Sequence, residues 1–365
     1  MSFTHAPFST WFMHVFLVKP CQLCYLWLKC FRRCAIKKVT VIGSGSWGIA
    51  LGCHLHHLGH AVTMWDCHEP YVAALDQTRQ NAYLKGLTIP QTIHITADRA
   101  KTPAEVFVLA LPSKMISTYV PQFAAHFERA AYIVNVSKGF EETQQLRISQ
   151  YLRTLTDTPV VILTGPSHAE EVVKNVPTAL VAAAEDPKVA EAAQALFSSE
   201  CFRVYTSTDV VGAELGGALK NVIALAAGCC DGLGFGDNTK AALVTRGMAE
   251  ITRLGVAMGA REQTFSGLSG IGDLFVTCTS QHSRNYRAGR LIAEGLGVPA
   301  VLERIGMVVE GITTARAALA LSQKHGVSMP LVEAINRVLF DAADPKTTVM
   351  QLMVRASKNE YIAMS

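Results

Sequence analysis

Several short stretches of this chain hold residue types suited to chemistry. Gly43-Ser44-Gly45-Ser46-Trp47-Gly48 has the G-x-G-x-x-G spacing. In that pattern the first glycine allows a tight turn, the second lets backbone approach a pyrophosphate, and the third lets a helix pack on a sheet. Lys138, Gly165 and Ser167 each follow an apolar run. Lys220-Asn221 interrupts the apolar face of a helical pattern. A lysine there either reaches water or is buried, and burial lowers its pKa toward a range useful for proton transfer. Composition leaves both readings open. A glycine-rich loop, Gly267 to Gly272, leads into Asp273, and Arg284 lies within Ser283-Arg284-Asn285. A planar guanidinium suits a phosphate. Arg287 and Arg290 are read as solvated helix charges, and Arg246 with Glu250 as a surface pair at i,i+4.

The elements that must position these residues follow from pattern. Lys38–Ile42 is a short buried strand, then the glycine motif, an apolar helix to Leu58, a stop at Gly59 and a second strand, Ala61–Trp65. Strand, motif, helix, strand is the context that dinucleotide binding requires. Asp66 ends the second strand, where an acid receives adenine ribose hydroxyls. That favours NAD, while His68 close by could tolerate a 2′-phosphate. Further strands are expected at Val106–Leu111, Tyr132–Val136 and Val160–Leu163. Apolar runs alternating with helical stretches imply an α/β doubly wound sheet, with ligands beyond the carboxyl ends of the strands. From about Ser207 the pattern turns helical. Asp209 caps a long apolar helix, and another runs from about Asn238 to Met258.

The chain has 365 residues, half of them apolar and 17% charged. That suits two well-packed domains at roughly 100–200 residues each. The boundaries expected are an extension over 1–36, a dinucleotide-binding domain over 37–205 and a helical substrate domain over 206–365. The net charge is +4. Residues 1–38 carry six lysines and arginines and no acid, so the rest is slightly acidic. Such a body does not argue for nucleic-acid binding. Of ten cysteines, Cys21, Cys24, Cys30 and Cys34 crowd the N-terminal segment, and the others scatter through mostly apolar runs. Reduced, buried cysteines in a cytoplasmic protein account for the latter better than a disulfide framework.

Residues 1–36 are aromatic and without acids. A membrane anchor would use Trp11 to Leu28, but Lys19-Pro20 splits that run. A signal peptide lacks its basic start and cleavage site. Cys21, Cys24, Cys30 and Cys34 number enough for zinc, with an unusually short internal loop. The preferred reading is a dispensable, flexible or untranslated segment.

In order along the chain stand Gly43 to Gly48, Ser137-Lys138-Gly139, Thr164-Gly165-Pro166-Ser167, Ala218-Leu219-Lys220-Asn221-Val222, Gly270-Ile271-Gly272-Asp273-Leu274, Ser283-Arg284-Asn285 and Val308-Val309-Glu310-Gly311. Together they closely resemble the bacterial NAD(P)-dependent sn-glycerol-3-phosphate dehydrogenase family, from about Ile36 onward. The resemblance implies a Rossmann-like domain followed by an all-helical domain of the 6-phosphogluconate-dehydrogenase type. It implies reversible reduction of dihydroxyacetone phosphate to sn-glycerol 3-phosphate for phospholipid synthesis, with no metal and commonly as a dimer. By it Lys220 is the general acid/base, Lys138 touches cofactor and substrate, and Asp273 orients a lysine. Gly165, Ser167, Thr277, Ser283, Arg284 and Asn285 match substrate positions. Ser46, Trp47, Ala169, Arg284, Val308 and Glu310 match cofactor positions, beside Gly43, Gly45, Gly48, Asp66, His68 and Lys138.

The stretch Asp66-Cys67-His68 lacks the basic residues that many NADP-preferring members place there, so the choice between NAD and NADP stays open. The rival readings are another reductase of the same architecture and a non-catalytic dinucleotide-binding protein.

Overall fold

The computed structural model describes residues 35–357 and 359–360. The expectations for an anchor, a leader or zinc ligands at the N-terminus concern residues outside these. Lys37–Ser365 forms one compact unit.

Its first part is a mixed eight-stranded sheet. The strands are β1 (Lys38–Ile42), β2 (Ala61–Trp65), β3 (His94–Thr96), β4 (Val106–Leu109), β5 (Tyr132–Asn135), β6 (Val160–Thr164), β7 (Thr178–Ala183) and β8 (Phe202–Ser207). Their spatial order is β8-β7-β6-β5-β4-β1-β2-β3. Every neighbouring pair is parallel except β6 with β7, where Ile162 faces Ala183 in antiparallel register. β4 and β5 are buried at every position. A strand covered on both faces has no polar alternation, hence their unbroken apolar runs. Helices α1 (Ser46–His57), α2 (Glu69–Thr78) and α3 (Pro187–Phe197) belong to this layer. Parallel crossovers bring the carboxyl ends of β1, β4, β5 and β6 to one edge.

The second part is helical. α4 (Val210–Gly232) is its axis, and α5 (Asp237–Ala257), α6 (Asp273–Thr279), α7 (Arg284–Ala293) and α9 (Glu310–Lys324) pack on it. α8 (Val298–Ile305), α10 (Pro330–Phe340) and α11 (Pro345–Met353) complete the layer. α4 is long and apolar enough to cross a membrane, but it is the buried core helix of this part. Asp209 caps it, accepting from the Gly212 amide at 2.9 Å. The other carboxylate oxygen accepts from the Arg261 amide and the Thr264 hydroxyl.

One expectation fails. Glu250 does not pair with Arg246 on the surface. It is 4% exposed and accepts from the Leu331 and Val332 amides at the start of α10. The free N–H groups of a buried helix end need an acceptor more than an exposed arginine does. Among the described residues all cysteines are free, and no cluster of His, Cys, Asp or Glu is built to hold a metal ion.

Candidate active site

The glycine turn leaves the carboxyl end of β1. Gly43 has φ +106°, and a Cβ there would lie 2.8 Å from the Ala110 carbonyl oxygen. A Cβ on Gly48 would lie 1.9 Å from the Gly43 carbonyl oxygen. Neither position admits a side chain, which closes the turn tightly against β4. Around Gly45 the space is open. No side chain caps α1, so its first amides are free for an anion. The Ser44 and Ser46 hydroxyls are buried without a hydrogen-bond partner among the described residues. Open backbone, free amides and unpaired hydroxyls fit a pyrophosphate. Trp47 packs partly buried against the sheet core.

Asp66 stands just beyond β2. Its Oδ2 accepts from the Ser44 amide at 2.8 Å, which ties it to the same turn. His68 serves the fold locally, since its Nδ1 accepts from the Tyr71 amide and caps α2. Tyr71 in turn donates its hydroxyl to the Ser44 carbonyl at 2.7 Å.

The lysines meet on one carboxylate. Asp273 opens α6 and is 1% exposed. Its Oδ2 accepts from Lys138 Nζ at 2.7 Å, and its Oδ1 accepts from Lys220 Nζ. Lys138 comes from the loop after β5 and also donates to the Gly165 carbonyl at 3.2 Å. Lys220 comes from the middle of α4 and donates to Thr277 Oγ1 at 2.7 Å. Thr277 is held by its own bond to the Asp273 carbonyl at 2.6 Å. α4 reaches the sheet because Gly217 has no side chain: a Cβ would lie 2.8 Å from Thr164 Oγ1.

Burial drives the Lys220 pKa down to about 7; Asp273 opposes the fall and Lys138 adds to it. Burial alone would raise the Asp273 carboxyl, but the two lysines outweigh it and hold it below the ordinary carboxylate range. The cluster therefore sets one buried carboxylate between two lysines, of which Lys220 titrates near neutrality.

Arg284 and its neighbours stand at the start of α7. Ser283 caps that helix, accepting from the Tyr286 amide at 3.2 Å. Arg284 donates to the Val308 carbonyl at 2.9 Å. Desolvation lowers its pKa and Glu310 partly restores it. Asn285 is buried between helices: it donates to Asn221 Oδ1 and accepts from the Gly311 amide, both at 2.8 Å. Glu310 accepts from the amide and hydroxyl of Ser113, which follows β4, and so joins α9 to the sheet. Burial raises the Glu310 pKa.

Ser167 donates to the Gly165 carbonyl at 2.9 Å, and Ala169 begins a helical turn, Ala169–Val172. Sequence reasoning passed over Ser113 and His168. His168 lies between two positions already singled out, and that proximity was the signal for it. Its ring centroid is 5.6 Å from that of His282.

A glycine-rich turn on a Rossmann-like sheet, opposed by a titrating lysine on a buried helix, defines a dinucleotide-dependent oxidoreductase of two-layer build. Comparison with known proteins narrows the class. The chain belongs to the NAD-dependent glycerol-3-phosphate dehydrogenase family. The model of that family's N-terminus matches residues 38–190 and that of its C-terminus residues 209–350. A glycerol-3-phosphate dehydrogenase [NAD(P)+] of Desulfitobacterium hafniense (strain Y51) is 48% identical over 326 residues, 88% of this chain and 93% of that one. One from Thermoanaerobacter sp. (strain X514) is 47% identical over 88% of this chain and 98% of its own. The crystal structure of glycerol-3-phosphate dehydrogenase from Coxiella burnetii superposes with a TM-score of 0.84 at 31% identity, covering 88% of this chain and 99% of that one.

Proposed function

We propose that this chain reduces dihydroxyacetone phosphate reversibly to sn-glycerol 3-phosphate with NAD(P)H, supplying the glycerol backbone of phospholipids. The Lys220–Asp273–Lys138 cluster carries the reading. The domain division we propose at 205/206 falls inside β8 (Phe202–Ser207), shortly before the helices begin at Val210.

The turn from Gly43 through Gly48, with Ser46 and Trp47, would hold the dinucleotide, Asp66 and His68 would lie at its adenosine end, and Ala169, Val308 and Glu310 would border it. When bound, the reduced nicotinamide supplies a hydride to the substrate's C2. The chain's own residues manage the charge that develops on the C2 oxygen. Lys220, as ammonium, gives that oxygen its proton. Lys138 adds positive potential and keeps the Lys220 pKa low. Asp273 and Thr277 fix the Lys220 amine in place. Gly165, Ser167, Ser283, Arg284 and Asn285 border the phosphate, and fixing it there aligns C2. Asn285 acts by setting α7 against α4 and α9.

The first test is oxidation of NADH and NADPH in the presence of dihydroxyacetone phosphate, followed by nicotinamide absorbance. Turnover supports the reading. A folded protein that binds cofactor but leaves this ketone untouched overturns it. On family resemblance we further propose a homodimer in the cytoplasm, which sedimentation and cell fractionation test.

A further inference from the structure

We propose that His168 is a ligand for the substrate's phosphate, meeting the dianion through Nε2 and taking a proton from solvent as the dianion arrives. This rests on the reaction reading above.

Three observations converge on this residue. His168 Nε2 is buried and has no hydrogen-bond partner among the described residues. Buried polar atoms are almost always paired, so an unpaired one beside a reaction centre calls for a partner from the cleft. The ring is not spent on local structure either. His168 stands at the cap position of the turn Ala169–Val172, yet its side chain makes no capping bond. Its ring stands beside His282, tilted by 52°, and His282 directly precedes Ser283-Arg284. His168 thus lies beside the residue that precedes Ser283-Arg284, in the loop whose Gly165 carbonyl accepts from Lys138.

The charges facing it decide its protonation. Burial and the positive Lys220 and Lys138 lower its pKa, while Glu170 and Glu171 work the other way. The free protein therefore holds it neutral at neutral pH. A phosphate dianion reverses the balance, because an opposite charge at contact favours the imidazolium. The C2 oxygen already belongs to Lys220, and a neutral hydroxyl offers no such charge. The phosphate is the one part of the substrate that can draw a proton onto this ring.

The test measures kcat and KM for dihydroxyacetone phosphate at saturating NADH, between about pH 6 and about pH 8. The unaltered chain is compared with His168→Phe and His168→Gln. His168→Phe is expected to raise KM roughly ten- to a hundredfold, the range of a lost charged hydrogen bond, and to change kcat far less. His168→Gln keeps a neutral donor, so KM recovers in part. In the unaltered protein KM rises with pH as the imidazolium is lost, and in the glutamine variant this dependence is weaker. Calorimetry of sn-glycerol 3-phosphate binding in buffers of different ionisation heat should show less proton uptake by both variants. NADH binding by fluorescence checks that each variant is folded.

Unchanged KM and proton uptake in a folded His168→Gln overturn the proposal, as does a loss confined to kcat. An unaltered protein inactive on dihydroxyacetone phosphate overturns the reaction reading and this proposal with it. An active protein with indifferent variants overturns this proposal alone.

Discussion

Lys138 donates to Oδ2 of Asp273 at 2.7 Å, on the opposite side of the carboxylate from Lys220. One buried anion thus faces two cations; burial and Lys138 lower the Lys220 pKa, and Asp273 opposes them and holds it at about 7. Asp273→Asn removes the anion and leaves both lysines. The Lys220 pKa, already about 7, should fall further. Dihydroxyacetone phosphate reduction at neutral pH should drop about a hundredfold or more. Part of the loss should return in acid. A pH–rate profile unmoved by the substitution would refute this role.

The same amine sets opposite pH dependences for the two directions. Reduction needs Lys220 protonated, so its kcat/KM should fall as pH rises through about 7. Oxidation of glycerol 3-phosphate needs the free amine, so its kcat/KM should rise across the same interval. Lys220→Met should abolish both and leave NADH affinity nearly intact. Steady-state profiles in both directions, with cofactor titration of the variant, check this. Loss of cofactor binding in Lys220→Met would contradict the assignment.

Local rules made much of this fold legible. The glycine motif, the strand runs and the Asp209 cap all rest on interactions within a few residues. Lys220 illustrates where such rules stop. A lysine among apolar residues could be solvated or buried, and only the approach of α6, carrying Asp273, decides it. Glu250 shows the same limit from the other side. Its spacing to Arg246 was correct for a helix pair, but the amides it accepts from belong to α10, 81 residues away along the chain. His68 is legible only as a residue near a possible 2′-phosphate; that its Nδ1 caps α2 depends on where that helix starts.

Two adjacent glycines of α4 should answer to alanine differently. A Cβ on Gly216 would lie 2.2 Å from the Ser269 carbonyl oxygen, which is backbone. On Gly217 it would lie 2.8 Å from Thr164 Oγ1, a side chain that can turn aside. Gly216→Ala should therefore destabilise by about 1–3 kcal/mol, the usual cost of overpacking. Gly217→Ala should cost less stability and still lower kcat, because the neighbouring Lys138 stem is 3.8 Å away. Thermal melts and turnover of the pair test the order. A Gly217→Ala protein more destabilised than Gly216→Ala would reverse it.

Glu250 makes stability depend on pH. Desolvation raises its pKa from 4.5 to about 7, and the Leu331 and Val332 amides only moderate the rise. The folded state then holds the proton more tightly than the unfolded one. Its contribution is fully present below about 4.5 and is lost as pH rises through about 7. Glu250→Gln lacks this proton. Relative to the natural chain, the variant should gain up to about 3 kcal/mol between those pH values, at 1.36 kcal/mol per unit. Denaturant melts across the interval measure it. A constant difference between the two proteins would show that Glu250 does not titrate there.

Cofactor choice is the last consequence, and it turns on Asp66. The segment Asp66-Cys67-His68-Glu69-Pro70-Tyr71 holds two acids and no lysine or arginine. The Asp66 carboxylate is fixed by the Ser44 amide at 2.8 Å, so it cannot swing clear of the adenosine end of the turn. His68 Nδ1 is committed to the Tyr71 amide, which leaves only its other nitrogen to meet a ligand. A 2′-phosphate would stand against a held carboxylate, and like charges at an interface cost several kcal/mol. NADH should therefore exceed NADPH in kcat/KM by about tenfold or more. Asp66→Ala should narrow the ratio, chiefly by improving KM for NADPH. It should also loosen the glycine turn, which NADH affinity would register. Equal use of both cofactors by the natural chain would mean that the carboxylate does not face the ribose.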